Sequence, residues 1–157
     1  MLVSSIFTTP LGAFEVVHDE HFIFNALFTQ KAGKAAESEL AKQISQELAA
    51  YFKNCEHRFQ LPLKPQGSLY QQKVWNALLV IPVGRTLTYG ELALHLQSSP
   101  RAIGQACKKN PLALFIPCHR IVGKNSLGGY MGDPNALSYK EALLRHEYTM
   151  RQDLLQM

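Results

Sequence analysis

At 157 residues, with 46% hydrophobic and 18% charged residues, the chain has enough apolar side chain to bury a core, which excludes a disordered or low-complexity protein. Sixteen Lys and Arg against twelve Asp and Glu leave a net charge of +4, a mild bias toward polyanionic partners such as nucleic acid. The three cysteines, Cys55, Cys107 and Cys118, have no CxxC spacing, so neither a disulfide framework nor a four-cysteine zinc module is indicated and a reducing compartment is expected.

The first 27 residues carry Glu15, Asp19 and Glu20 among their apolar positions, which breaks any signal-peptide core, and no later apolar run reaches membrane-spanning length. A soluble cytoplasmic protein is expected, associated with the nucleoid if the source is bacterial. Short apolar runs, FEVV and FIFNALF, are punctuated by Thr9-Pro10-Leu11-Gly12 and His18-Asp19-Glu20-His21, as in a small meander of strands. Over 35–53 the apolar residues Leu40, Ile44, Leu48, Tyr51 and Phe52 recur every three or four positions, the pattern of an amphipathic helix covering one face of that sheet. A strand-like FQLPL leads to Lys64-Pro65-Gln66-Gly67, a linker. The expected division is a sheet-and-helix lobe over 1–66 and a mainly helical lobe over 67–157, an α/β (α+β) protein overall.

Beyond the linker, 69–81 reads as a helix closed by Pro82 and Gly84. Thr88-Tyr89-Gly90-Glu91 fits a capping box that opens a short helix to about Leu96. Ser99-Pro100-Arg101 is a second start signal, a hydroxyl at the N-cap and a proline whose missing N–H costs nothing there, for a helix running to about Lys109. Two such helices have the outline of a helix-turn-helix. LALFI at 112–116 reads as a strand or extended segment, 123–133 as a loop, and Ser138-Tyr139-Lys140-Glu141 as a third capping box opening a helix through Tyr148.

Chemistry concentrates at Pro117-Cys118-His119-Arg120. A thiol beside an imidazole can be activated for nucleophilic attack, although an unpaired cysteine is as readily a small buried hydrophobe. Neighbours in an extended segment point to opposite sides, so His119 reaches Cys118 through a water rather than directly. Glu147 lies three and four residues after Leu144 and Leu143, on or beside the inward stripe of its helix. It pairs either with the imidazole, completing a Cys, water, His, Glu relay, or with Arg145 or Arg151 on a solvated surface.

IPCHRIVG, with TYGELA and SPRAIGQACKKNP before it and LGGYMG and LLRHE after it, resembles the O6-alkylguanine-DNA alkyltransferase family over about 69–147, and the N-terminal part is similar to the family's small ribonuclease H-like lobe. The resemblance implies direct-reversal DNA repair, in which the alkyl group on the 6-oxygen of guanine, or on O4 of thymine, passes irreversibly to Cys118 and the protein is consumed. It implies His119 as the water-mediated base, Glu147 as its orienter, Asn110 as a brace for the turn carrying the cysteine, and Tyr89 as donor to the departing guanine. Arg101 would enter the duplex where the flipped nucleotide was. Ser99, Gly104 and Lys108 would lie with it on a helix in the minor groove of a winged-helix-like motif, Gly104 allowing close backbone approach.

In the same resemblance the carbonyls of Cys118 and Ile121 would accept the guanine amino group, Tyr130 would pack on the base, and the Met131 N–H would meet the 6-oxygen. Double-stranded DNA is the expected partner of a monomer that needs neither cofactor nor metal. Ala113, in place of a second proline, and a longer segment at 133–139 depart from the family pattern beside the pocket. Cys107, on the helix after Ser99, reads as a packing residue. The competing readings are a non-catalytic binder of alkylated DNA, which would have no use for Cys118, and a cysteine hydrolase built on Cys118, His119 and Glu147, which would have no use for the basic helix.

Overall fold

The computed structural model describes the backbone of residues 1–155 and the side chains of residues 1–148. Three strands, β1 (Val3–Thr9), β2 (Gly12–His18) and β3 (Ile23–Thr29), form an antiparallel meander in the order β1-β2-β3. The hairpin register pairs Thr9 with Gly12, leaving Pro10 and Leu11 as the turn, and Gly12 takes φ +119°, a region open to glycine but not to side-chain-bearing residues. Phe7, Phe14, Val16, Ala26 and Phe28 fall on the inward face by the two-residue period of the strands, and Ile23 joins them because the register shifts by one residue beside Val17 and His18. Helix α1 (Glu39–Lys53) covers that face. It starts four residues later than the apolar pattern suggests, because the Ser38 hydroxyl accepts the Ala41 N–H and sets the N-cap.

The linker and the second half are built onto the same sheet. Leu63, in FQLPL, bridges to Ile23 and Leu112 bridges to Ala26, both in parallel sense. Phe14 and Phe59 each pack edge-on against Phe115, and Tyr139 stacks on Phe28 at 4.7 Å. One hydrophobic core therefore runs from the sheet to the C-terminal helices.

Helix α2 (Leu69–Leu78) opens with a complete Ser68–Gln71 capping box and ends three residues short of 81, where 79–81 leave the helix as a turn and a bend ahead of Pro82. Its buried Trp75 donates Nε1–H to the Ala106 carbonyl at 2.9 Å, which ties it to α4 (Pro100–Lys108). Helix α3 (Tyr89–Leu96) begins in the expected Thr88–Glu91 box, and α4 in the expected Ser99 cap with Pro100 at its first turn. Gln97, in the left-handed region at φ 53°, reverses the chain between them, and the two helices pack together as a helix-turn-helix. A two-residue strand β4 (Leu87–Thr88) runs parallel to β5 (Ile121–Val122). Helix α5 (Leu137–Leu155) closes the fold. Among the described residues no helix is long and apolar enough to cross a membrane.

Three local expectations are corrected. After its single bridge at Leu112, LALFI is a series of turns, with Leu114 at φ 72°, and not a strand; an apolar run of five fits a buried turn as well as a buried strand. Cys118–Arg120 is one turn of 3₁₀ helix, not extended chain, so the alternation of an extended segment does not set how His119 stands relative to Cys118. No capping box forms at Ser138. The chain enters α5 through a 3₁₀ turn, Pro134–Ala136, whose N-cap is Asp133 accepting the Asn135 N–H, so Ser138 is already inside the helix.

Candidate active site

The turn that carries Cys118 is held from behind by Asn110. Its Nδ2 donates to the Ile116 carbonyl at 3.0 Å and its Oδ1 accepts the Leu112 N–H at 2.9 Å, so one side chain spans both ends of the 112–116 turns. Pro117, at φ −79° and ψ 64°, has inverse γ-turn geometry, and the Cys118 N–H closes that turn on the Ile116 carbonyl at 2.7 Å. The sulfur is thereby fixed on the wall of a cavity of about 410 Å³.

Tyr89, Gly104, Cys107, Lys108, Tyr130 and Met131 share that wall with Cys118, and the 128–134 segment closes it. Gly128, at φ +76°, lies so close to Tyr89 that a Cβ there would stand 2.5 Å from the phenol oxygen. The Gly129 N–H donates to that oxygen at 3.4 Å, which leaves the Tyr89 hydroxyl proton free to be donated elsewhere. A Cβ on Gly104 would reach the Tyr89 ring only at ordinary contact distance, 3.9 Å. Met131 is held in the left-handed region at φ 54°.

Behind the cysteine is a buried ionic cluster. Glu147 is 1% exposed, and the reading of it as a surface carboxylate is overturned: Arg145 pairs with Glu141 instead, and the Arg151 side chain lies outside the described residues. Glu147 Oε2 accepts from His119 Nε2 at 2.7 Å, from Tyr51 Oη at 2.7 Å and from Arg120 Nη2 at 2.9 Å, while Oε1 accepts Arg120 Nε at 2.9 Å. Arg120 also donates Nη1 to the Ile81 carbonyl at 2.8 Å. Burial pushes the Glu147 carboxyl up, but His119 and Arg120 outweigh it and hold the group well below the usual carboxylate range. It is therefore a fixed carboxylate that can only accept.

The tautomer of His119 follows. Nε2 must carry the proton it donates to Glu147, so in the neutral ring Nδ1 is the basic nitrogen, and Nδ1 has no hydrogen bond to any protein group. Burial lowers the His119 pKa more than Glu147 raises it, which keeps the ring neutral at rest. Burial likewise raises the Cys118 thiol, only partly offset by a hydrogen bond from Asn110 and the charge of Lys140. A protonated thiol thus stands beside a neutral base, and the thiolate has to be made on demand.

The remaining predicted residues fall into two groups. Ser99 and Arg101 are exposed at the start of α4, away from the cavity wall, with the Ser99 hydroxyl spent on the Ala102 N–H. Ile121 is fully buried. Its carbonyl, expected to wait for a substrate amino group, already accepts from Lys140 Nζ, and the Cys118 carbonyl accepts the Ile121 N–H. Each carbonyl keeps a second lone pair.

Sequence reasoning missed Tyr51, Arg120 and Lys140. Lys140 is fully buried, donates to the Ile121 and Gly129 carbonyls, and lies 6.0 Å from the centre of the Tyr89 ring. Burial lowers its pKa to about 8. Its spacing with Leu143 and Glu147 on α5, at three and seven residues, was the available signal that it faces inward. Among the described residues no cluster of three or more His, Cys, Asp or Glu could hold a metal ion.

Two family models match the chain: the DNA-binding domain of 6-O-methylguanine DNA methyltransferase over residues 69–149, and its ribonuclease-like domain over residues 2–65. A methylated-DNA–protein-cysteine methyltransferase of Methanosarcina acetivorans is 36% identical over 152 residues, covering 91% of this chain and 96% of the relative. The crystal structure of Mycobacterium tuberculosis O6-methylguanine methyltransferase superposes with a TM-score of 0.82 at 28% identity, covering 96% and 94% of the two chains. That of the OGT protein of the same organism in complex with DNA gives 0.79 at 29% identity, covering 94% and 93%.

Proposed function

The chain belongs to the 6-O-methylguanine DNA methyltransferase family, and from that premise we propose that it repairs DNA by moving the alkyl group of O6-alkylguanine irreversibly onto Cys118. The observation that carries this reading is Cys118 on the wall of a base-sized cavity, backed by the buried His119–Glu147 pair and faced by Tyr89.

The duplex lies against α4, which enters the minor groove as a monomer's reading head. Lys108 and the Ser99 end of the helix meet phosphates, and Gly104 lets the backbone approach. The target nucleotide leaves the stack, since a stacked guanine cannot present its alkyl carbon in line to a thiolate, and Arg101 fills the space it vacates. In the pocket the base packs on Tyr130, with its 6-oxygen toward the Met131 N–H and its amino group toward the carbonyls of Cys118 and Ile121.

A water between Cys118 and His119 Nδ1 carries the thiol proton to the imidazole, and Glu147 stabilises the imidazolium through Nε2. The sulfur lone pair forms the new S–C bond as the C–O bond breaks. Its electrons pass to the guanine, which takes a proton or hydrogen bond from Tyr89. Burial raises the Tyr89 pKa, so its hydroxyl remains a donor. The product is a thioether, which water does not cleave, so each molecule acts once.

The test is conversion of O6-methylguanine to guanine within a duplex, measured by chromatography of the digested DNA. Wild-type protein should convert a stoichiometric amount and stop. Cys118→Ser should convert none while retaining its DNA mobility shift, because a hydroxyl at ordinary pKa is a far poorer nucleophile. Continued turnover, or conversion by Cys118→Ser, would contradict the assignment.

A further inference from the structure

Tyr51 belongs to α1, in the half of the chain remote in sequence from the cysteine motif, yet its hydroxyl is 2.7 Å from the oxygen of Glu147 that receives the His119 proton. The residue is 1% exposed. Its ring is wedged against Phe52, Phe59 and His146, with centroids at 5.0, 5.2 and 5.2 Å. The end of α1 is also stitched to α5 by two further contacts, His146 Nε2 donating to the Tyr51 carbonyl at 3.3 Å and Cys55 Sγ to the Glu147 carbonyl at 3.7 Å. Packing alone would be met by phenylalanine. A buried phenol directed at a carboxylate that already holds an arginine and a histidine is an electrostatic arrangement.

We infer that Tyr51 is a positioning residue for the His119 base: by donating to Glu147 Oε2 it shares the lone pairs that hold the His119 Nε2 proton, and so sets how strongly the imidazolium is stabilised. The inference rests on the reading of His119 as the base that activates Cys118. Burial holds the Tyr51 hydroxyl well above its ordinary pKa, with the Glu147 charge adding to it, so the phenol is a permanent donor. The charged and titratable groups around the His119–Glu147 pair are Arg120 and Cys118 on the His119 turn, Lys140 on α5, Tyr130 in the pocket loop and Tyr51 and Cys55 from the N-terminal half. Of these, Tyr51 and Arg120 compete directly with the imidazole for Oε2.

Removing the phenol concentrates the carboxylate charge on the two remaining donors. In Tyr51→Phe the His119 titration should rise by about one pH unit, the equivalent of roughly one hydrogen bond to a charged group. The pH at which the Cys118 thiolate forms should fall in step, raising its alkylation rate about tenfold below the midpoint. A second protein carries 3,5-difluorotyrosine at position 51, whose more acidic hydroxyl is a stronger donor of nearly the same shape. It should move both titrations the opposite way.

The experiment follows His119 by NMR of protein labelled with 15N-histidine, and Cys118 by iodoacetamide labelling against pH with the modified peptide assigned by mass spectrometry, in all three full-length proteins without DNA. Opposite displacements in the two substituted proteins are the expected result. Titrations that stay in place in both proteins, with or without a lower melting temperature, would make Tyr51 a packing residue and overturn the inference. So would displacement of both in one direction. These readouts need no methyl transfer, so failure of the wild-type protein to repair DNA would defeat the proposed function separately.

Discussion

Replacing Glu147 with glutamine changes one atom and removes the charge on which the buried cluster turns. Four hydrogen bonds end on the carboxylate, from Tyr51, His119 and two nitrogens of Arg120. Whichever way the amide is turned, its NH2 group faces at least one donor, Arg120 Nε on one side or Tyr51, His119 and Arg120 Nη2 on the other, and the Arg120 guanidinium loses its counter-ion in a buried setting. Breaking such a pair costs about 3–5 kcal/mol, against a total of about 5–15 kcal/mol for a domain. The variant should therefore fold, with its urea midpoint clearly lowered.

The rate effect is separate. A hydrogen bond to a charged group contributes about 1.5–3 kcal/mol, so single-turnover transfer near neutral pH should fall about 10–150-fold. The sign for His119 is fixed: burial already lowers its pKa against the pull of Glu147, and loss of the carboxylate lowers it further and weakens the base. Raising the pH should recover much of the rate, since hydroxide then makes the thiolate. For stability the sign is also fixed. The Glu147 pKa is depressed in the folded protein, so its contribution is complete above the unfolded value of about 4.3 and is lost as pH falls below that. The stability gap between the two proteins should narrow in acid. Rate and stability unchanged by the substitution would refute the reasoning, and a rate loss equal at every pH would show a collapsed pocket in place of a weakened base.

Gly128→Ala should leave the fold intact at a cost of about 1–2 kcal/mol for its positive φ, yet slow transfer on the order of 100-fold. The new Cβ would stand 2.5 Å from the Tyr89 oxygen and displace it; single-turnover rates equal to wild type would show that the position of Tyr89 is immaterial. Arg101→Ala should impair transfer from duplex DNA far more than reaction with free O6-benzylguanine, because Arg101 is exposed on α4 and away from the cavity and a free base needs no flipping. Equal losses on the two substrates would place Arg101 in folding or chemistry.

Local signals in the sequence transferred well to the fold where they were self-contained. The Thr88–Glu91 box and the Ser99-Pro100 cap set the starts of α3 and α4 because capping chemistry is settled within four residues. The start of α5 was misplaced by the same logic, since Asp133 captures the chain in a 3₁₀ turn before Ser138 can act. LALFI shows the limit of apolar runs: burial was legible, but the turn around Leu114 depends on Asn110 reaching over it. For Glu147, periodicity left burial and exposure open because its partners come from elsewhere, Arg120 at 27 residues and Tyr51 at 96 residues. Tyr51 read as core because its ring is core. Only the need of a buried phenol for a partner hinted at more.

The most direct measurement is intact and peptide mass spectrometry of the protein after incubation with an equimolar duplex carrying O6-methylguanine. The expected result is one methyl group replacing one hydrogen per chain, confined to the peptide containing Cys118, with the modification surviving prolonged incubation. Modification of Cys107 or Cys55 in its place, or loss of the lesion with the protein mass unchanged, would contradict the account.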